Sequence, residues 1–136
     1  MRAVLDPNVI ISGLLSPRGT PAEVLRALDR GEFELIASQA LLEELGRALG
    51  YPKLRAHIGG EDAVAVVRWA SETATTAPSP RAATSVRSAD PGDDYLIALA
   101  SAHRAALVSG DKHLLSLSSE IPVFSPRDVL KLLQEA

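Results

Sequence analysis

The chain has 136 residues, of which 46% are apolar and 23% are charged, so it can bury the core of one compact domain. This composition excludes a disordered or low-complexity chain, and the absence of cysteine excludes disulfides, thiolate nucleophiles and cysteine-bound metals. The net charge of −3 comes from 14 basic and 17 acidic residues, and by itself it disfavours a nucleic-acid partner.

Strand and helix signals alternate along the whole chain, which is typical of a parallel sheet covered by helices. We find no internal repeat or linker and expect a single domain over 1–136. Five strands are predicted, at 3–5, 33–37, 74–77, 106–109 and 123–124. Helices are predicted from 20, over 39–49, 61–73 and 90–103, and from 126, with a loop over 78–89.

Three helix starts share one capping pattern, in which a polar cap is followed by proline and, three residues after the cap, by an acid. The caps are Thr20, Asp90 and Ser125. Ser38 is the predicted cap of the helix over 39–49, which ends at Gly50.

The apolar runs are too short to cross a bilayer, which takes about 20 residues. The run at 95–100 is among the longest. The first residues also lack the apolar core and cleavage pattern of a signal peptide. We therefore expect a cytoplasmic protein with no membrane span.

Two aspartates follow predicted strands at the edge where α/β sheets bind ligands. Asp6 ends the first strand directly, and Asp111 follows the fourth strand after Ser109 and Gly110. An ionised carboxylate at the edge of a buried strand is costly unless positive charge lies nearby. The alternative is that each aspartate only caps a loop or the next helix.

Glu44 lies at the edge of the apolar face of its helix. At 100° per residue, Glu43 points away from the leucine stripe, whereas Glu44 aligns with Leu41 and Ala48. We therefore expect Glu43 in solvent and Glu44 half-buried. The alternative is that Glu44 extends past the core edge or pairs with an arginine.

Asp93 and Asp94 lie in the first turn of the helix predicted over 90–103, where the helix dipole favours acids. Capping explains Asp90 and Asp93 well. Asp94, however, heads the packed face of the helix, and capping leaves it unexplained.

The four acids Asp6, Glu44, Asp94 and Asp111 are thus predicted at one edge of the sheet. Carboxylates that close cannot all stay ionised without cations between them, and oxygen ligands suit Mg²⁺ or Mn²⁺. The three histidines show no zinc-like spacing, so we place them on the surface or in loops.

Four segments together are similar to the PIN-domain ribonucleases, a family that includes toxins of VapBC-type toxin–antitoxin pairs. They match in order and spacing across nearly the whole chain. The segments are VLDPNVIIS at 4–12, SQALLEEL at 38–45, DPGDDYLIALA at 90–100 and VSGDKHLL at 108–115.

The resemblance implies a three-layer α/β/α sandwich with a five-stranded parallel sheet, and cleavage of single-stranded RNA that depends on Mg²⁺ or Mn²⁺. It also implies a homodimer or higher homo-oligomer and a small antitoxin partner. The chain departs from the family pattern at Pro7 and at Ser109, where many members carry threonine. The implied metal-binding and catalytic residues are Asp6, Glu44, Asp94 and Asp111, with Asn8 and Ser109 as polar supports and Asp93 as an accessory acid.

Two alternatives remain open. A phosphatase of the haloacid-dehalogenase type also starts from a strand-ending aspartate, but it needs a second aspartate where this chain has Asn8. The second alternative is a PIN-like interaction module without enzymatic activity. A phosphomonoester assay separates the phosphatase from a ribonuclease.

The charge balance is compatible with RNA once the proposed ligands are set aside, because 13 acids then face 14 bases. Arg18, Arg81 and Arg87 lie in predicted loops and are candidates for phosphate contacts. Aromatic residues make up only 4% of the chain, and no base-stacking platform is evident.

Overall fold

The fold is built on one sheet of five parallel strands, as the alternation of strands and helices predicts. The computed structural model describes residues 1–80 and 86–135. The strands are β1 (Arg2–Leu5), β2 (Glu34–Ala37), β3 (Thr75–Thr76), β4 (Ala106–Val108) and β5 (Val123–Phe124). The helices are α1 (Pro7–Leu15), α2 (Thr20–Asp29), α3 (Gln39–Leu49), α4 (Pro52–Arg55), α5 (Gly60–Thr73), α6 (Asp94–Ala102), α7 (Lys112–Leu115) and α8 (Pro126–Glu135).

The strand order β3-β2-β1-β4-β5 creates a switch point between β1 and β4. From β1 the chain moves outward to β2 and β3, then returns to the other side of β1 as β4. In such sheets the binding crevice opens at the carboxyl ends of the strands that flank the switch point. Leu5 pairs with Val108 at these ends, so the residues that follow the two strands meet there.

The strands on either side of the switch point are covered on both faces. Val4, Leu5, Leu107 and Val108 have no exposed surface. Helix α6 packs against β1 and β4, whereas α2 contacts α1 and α8, and α3 contacts α1 and α5. The result is the three-layer α/β/α arrangement, with its core on both sides of the central strands.

Helix α1 was not predicted from the sequence. Its run of β-branched residues at 9–11 resembles a strand, but Pro7 occupies the first helical turn and the Asp6 carboxylate accepts the Asn8 N–H at 3.0 Å. A strand-ending aspartate thus starts the next helix at once. The single-turn helices α4 and α7 were also not predicted.

Two of the expected helix starts are corrected by the structure. Gly19, not Thr20, precedes the first turn of α2, and no side chain caps that helix. Asp90 accepts the Gly92 N–H as expected, but it opens a 3-10 turn over Pro91–Asp93, and α6 begins only at Asp94.

The caps at Ser38 and Ser125 are confirmed. The Ser38 hydroxyl accepts the Leu41 N–H at 3.2 Å, and the Ser125 hydroxyl accepts the Asp128 N–H at 3.1 Å. Gly50 ends α3, also as predicted.

The predicted loop over 78–89 has no helix or strand at 78–80 and 86–89, and its residues 81–85, including Arg81, lie outside the described residues. Within the described ranges, none of the helices has the length and apolar character that a bilayer span requires.

Candidate active site

Asp6 lies buried at the carboxyl end of β1, with 4% of its surface exposed. Its N–H donates to the Val108 carbonyl at 2.9 Å, so the position continues the ladder between β1 and β4. One carboxylate oxygen accepts the Asn8 N–H at 3.0 Å, and the other accepts the Ser109 hydroxyl at 2.8 Å. These bonds fix the orientation of the carboxylate.

Ser109 connects Asp6 to Asp111. The serine is completely buried, and its N–H donates to the Phe124 carbonyl at 3.0 Å. Its Oγ donates to Asp6 and accepts the Asp111 N–H at 3.0 Å. The Asp111 carboxylate in turn accepts the His113 N–H at 2.7 Å and caps α7.

A cleft of about 290 Å³ opens above this pair. Asp6, Asn8, Ser12 and Asp111 are its polar lining residues. The cleft therefore offers two carboxylates and several other oxygen donors at the switch point. The larger clefts, of about 560 Å³ between α3 and α5 and about 460 Å³ between α2 and α5, contain none of the expected site residues.

Glu44 is half-buried and Glu43 is exposed, as the helical geometry predicts. Glu44 also pairs with an arginine, which was the alternative interpretation. Its Oε2 accepts two hydrogen bonds from the Arg47 guanidinium, at 2.6 and 3.2 Å. Its side chain remains 36% exposed.

Asp94 is held by the segment that precedes the 3-10 turn. Its Oδ1 accepts the Ser88 N–H at 2.8 Å, and its Oδ2 lies 3.5 Å from the Arg87 guanidinium. The Ser88 hydroxyl accepts the Asp90 N–H at 3.2 Å, which fixes the turn. Arg87, a candidate RNA contact, therefore faces an acid of the expected set.

Burial raises the pKa of Asp6, although the hydrogen bonds from Asn8 and Ser109 act against the rise. The charges of Asp111 and Glu44 raise it further. Glu44 and Asp111 therefore lie within electrostatic range of Asp6.

Asp93 belongs to the same electrostatic group. Burial, and after it the charges of Asp6, Asp90, Asp111 and Asp94, together raise its pKa to about 6. Burial also raises the pKa of the Tyr95 hydroxyl, with Glu44 and Asp6 contributing. Negative charge thus accumulates at this sheet edge.

The donor chemistry of the site fits a divalent cation. All four expected ligands are carboxylates, and a buried carboxylate beside other acids is stabilised in its charged form by a cation. The geometry is only partly assembled, however. Across residues 1–80 and 86–135, no three acidic or histidine side chains converge as a ready-made metal cluster.

The structure therefore brings Asp6, Asn8 and Asp111 together at one cleft, with Ser109 buried between the two aspartates. Glu44 and Asp94 do not line this cleft, and each pairs with an arginine. Sequence reasoning missed Ser88, whose N–H orients Asp94. The sequence contains little indication of this role, because Ser88 differs from its neighbours only in its position two residues before Asp90, within a loop of small residues.

A parallel sheet with carboxylates at its switch point defines an α/β domain with an acidic site at the edge of the sheet. The sequence model of the PIN domain matches residues 2–113, and the chain belongs to the PIN-domain family. PIN domains are generally nucleases that use divalent metal ions.

The chain is also similar to two other proteins. The chain is 30% identical over 120 residues to the uncharacterized protein MJ1680 of Methanocaldococcus jannaschii, a match that covers 88% of this chain and 77% of that protein. The crystal structure of PAE2754 from Pyrobaculum aerophilum superposes with a TM-score of 0.69 at 14% identity, covering 100% of this chain and 91% of that one. The second match supports the fold alone.

Proposed function

We propose that this chain is an endoribonuclease that cleaves phosphodiester bonds of single-stranded RNA and depends on Mg²⁺ or Mn²⁺. The observation that carries the proposal is the unit formed by Asp6, Ser109 and Asp111 at the switch point of the sheet, in which one buried hydroxyl donates to the Asp6 carboxylate and accepts the Asp111 backbone N–H. Family membership supplies the reaction class.

Asp6, Glu44, Asp94 and Asp111 would hold the metal. When bound, a divalent cation lowers the pKa of water at the site and neutralises charge on the phosphate and on the leaving oxygen. No carboxylate of the four has to act as the nucleophile. Membership in the PIN family also disfavours the haloacid-dehalogenase alternative.

The chain's own residues orient the ligands. The Ser109 hydroxyl and the Asn8 N–H hold the two oxygens of Asp6, so the carboxylate does not have to reorient when a cation binds. Ser88 does the same for Asp94, and Arg47 for Glu44. Asp93 adds negative charge as an accessory acid.

A role as the toxin of a type II toxin–antitoxin pair, acting in the cytoplasm as a homodimer or higher oligomer, belongs to the same proposal. Its support is the family resemblance. A neighbouring reading frame for a short DNA-binding protein that co-purifies with this chain is the expected finding. A chain that is always monomeric and has no such neighbour would contradict the toxin role.

The experiment is a matrix of metals against RNA. A mixed pool of single-stranded RNA is incubated with Mg²⁺, Mn²⁺ or EDTA, and the cleavage sites are sequenced. We expect internal cleavage with either metal and none in EDTA. Cleavage that persists in EDTA, or hydrolysis of a small phosphomonoester in place of RNA, would overturn the proposal.

A further inference from the structure

Three residues at the end of α3 and just beyond it lie close together. Glu44 and Arg47 lie one turn apart on α3, and Tyr51 comes two residues after the helix ends and precedes α4. Arg47 bonds Glu44, and the Tyr51 hydroxyl is near enough to contribute to the raised pKa of the Arg47 guanidinium. The group therefore includes a proposed metal ligand.

Tyr51 presents its ring to solvent from a fixed backbone. The structure describes all five aromatic residues of the chain, and Tyr51 is the only exposed one. Its exposed fraction is 54%. Its N–H donates to Ala48 at 3.2 Å, and its carbonyl accepts from Leu54 and Arg55 at 2.9 and 3.0 Å. More than half of the residue is therefore accessible to a ligand.

Arg47 can bind a further group while it holds Glu44. A guanidinium has five N–H donors, of which Glu44 takes two. The Arg47 side chain is 62% exposed, so its remaining donors are accessible to a phosphate.

The surrounding segment has the charge that RNA requires. Residues 45–60 contain Arg47, Lys53 and Arg55 and no acid, in a chain whose net charge is −3. Lys53 and Arg55 are both exposed. An exposed aromatic ring among cations is the pattern of a single-stranded nucleic-acid surface.

We infer that Arg47 and Tyr51 form an RNA track beside the active centre, in which Arg47 contacts a backbone phosphate and Tyr51 stacks on an unpaired base near the cleaved bond. The inference rests on the proposed function and deepens it, because it names the feature that selects single strands. A base in a duplex is already stacked and paired, so it cannot stack on Tyr51.

The test is the affinity for a short, labelled single-stranded RNA, measured by fluorescence anisotropy in EDTA so that no strand is cut. The Y51A variant should bind about fivefold to 100-fold more weakly than the wild type, because one base–aromatic stack is lost. Y51W, which keeps a stacking ring, should bind within about twofold of the wild type. Equal affinity of Y51A and the wild type, or equal loss in Y51A and Y51W, would overturn the track.

Arg47 has a matched control in Arg30, which is 61% exposed and pairs with Glu32 before the amino end of β2. R47Q should reduce the slope of log affinity against log salt by about 0.7, the value for one phosphate contact on a single strand. R30Q should leave that slope unchanged. The same slope change in both variants would show a general charge effect and overturn the role of Arg47.

The binding assay requires no cleavage and therefore separates the two proposals. If the wild type cuts no RNA with any metal, the proposed function fails, and Y51A against Y51W still decides the track. If the wild type cuts RNA and Y51A binds and cuts equally well, only the track fails.

Discussion

Asp6 and Ser109 are 103 residues apart in the sequence, yet the Ser109 hydroxyl donates a 2.8 Å hydrogen bond to Asp6 Oδ2 in the buried edge of the sheet. The same hydroxyl accepts the Asp111 N–H. Pairing of β1 with β4 makes this contact possible, because it aligns the ends of the two strands. One serine thereby orients the carboxylate of Asp6 and holds the backbone of Asp111.

Replacing Ser109 tests this coupling. S109A leaves the Asp6 carboxylate and the Asp111 N–H without their shared partner, so we expect a loss of about 2 kcal/mol in the free energy of unfolding and a large loss of nuclease activity. S109T keeps the hydroxyl and should retain most of both. Urea denaturation and RNA cleavage measure the two effects, and an S109A protein with wild-type activity would contradict the role of the hydroxyl.

The double variant D6N/D111N separates metal binding from folding. Asparagine keeps one oxygen that can accept the capping N–H, and relief of the repulsion between the two like charges offsets the hydrogen bond that Asp6 loses. The metal-free variant should therefore be folded and at least as stable as the wild type, with no cleavage of RNA. D62N, in the first turn of α5, serves as a control that should keep activity. A large fall in the melting temperature of the double variant would assign these aspartates a structural role instead.

The stability of the metal-free protein should depend on the ionisation of Asp93. Because its pKa rises from 3.8 to about 6 on folding, the folded state binds more protons than the unfolded state between these values. The free energy of unfolding should therefore fall as the pH rises from about 4 to about 6.

Chemical denaturation of D93N across this pH range provides the comparison. Its pH dependence should be flatter than that of the wild type, and its relative stability should be greatest above pH 6. Parallel curves for the two proteins would exclude Asp93 as the source.

Helix α3 carries Glu44, and its start depends on the Ser38 cap. S38A should cost about 1 kcal/mol, because the Leu41 N–H loses its acceptor in a buried position, and S38T should restore most of the loss. Thermal unfolding measures the change. No difference between S38A and S38T would show that the cap does not stabilise the helix.

The sequence predicted those parts of the fold that depend on local chemistry. Ser38 as a cap, the leucine stripe of α3 and the division between Glu43 and Glu44 all follow from helical geometry, and the structure confirms them. Helix α1 was missed because its β-branched residues favour a strand locally, while burial against neighbouring helices stabilises the helix.

The parts that were not predicted depend on long-range contacts. No local pattern indicates that β4 lies beside β1, so the bond from Ser109 to Asp6 could not be derived from local chemistry, and only the family resemblance named Ser109 as a polar support. Ser88 and Arg87 reach Asp94 only because the loop before the 3-10 turn folds back over it. The exposure of Tyr51 likewise depends on how α4 follows α3.

Calorimetric titration of Mn²⁺ into the wild type, D6N and the D62N control tests the central claim that the carboxylates at the switch point hold a divalent cation. We expect saturable binding by the wild type and D62N, and binding at least about tenfold weaker by D6N, because the most deeply buried carboxylate ligand is lost. Equal Mn²⁺ affinity of D6N and the wild type would contradict the account.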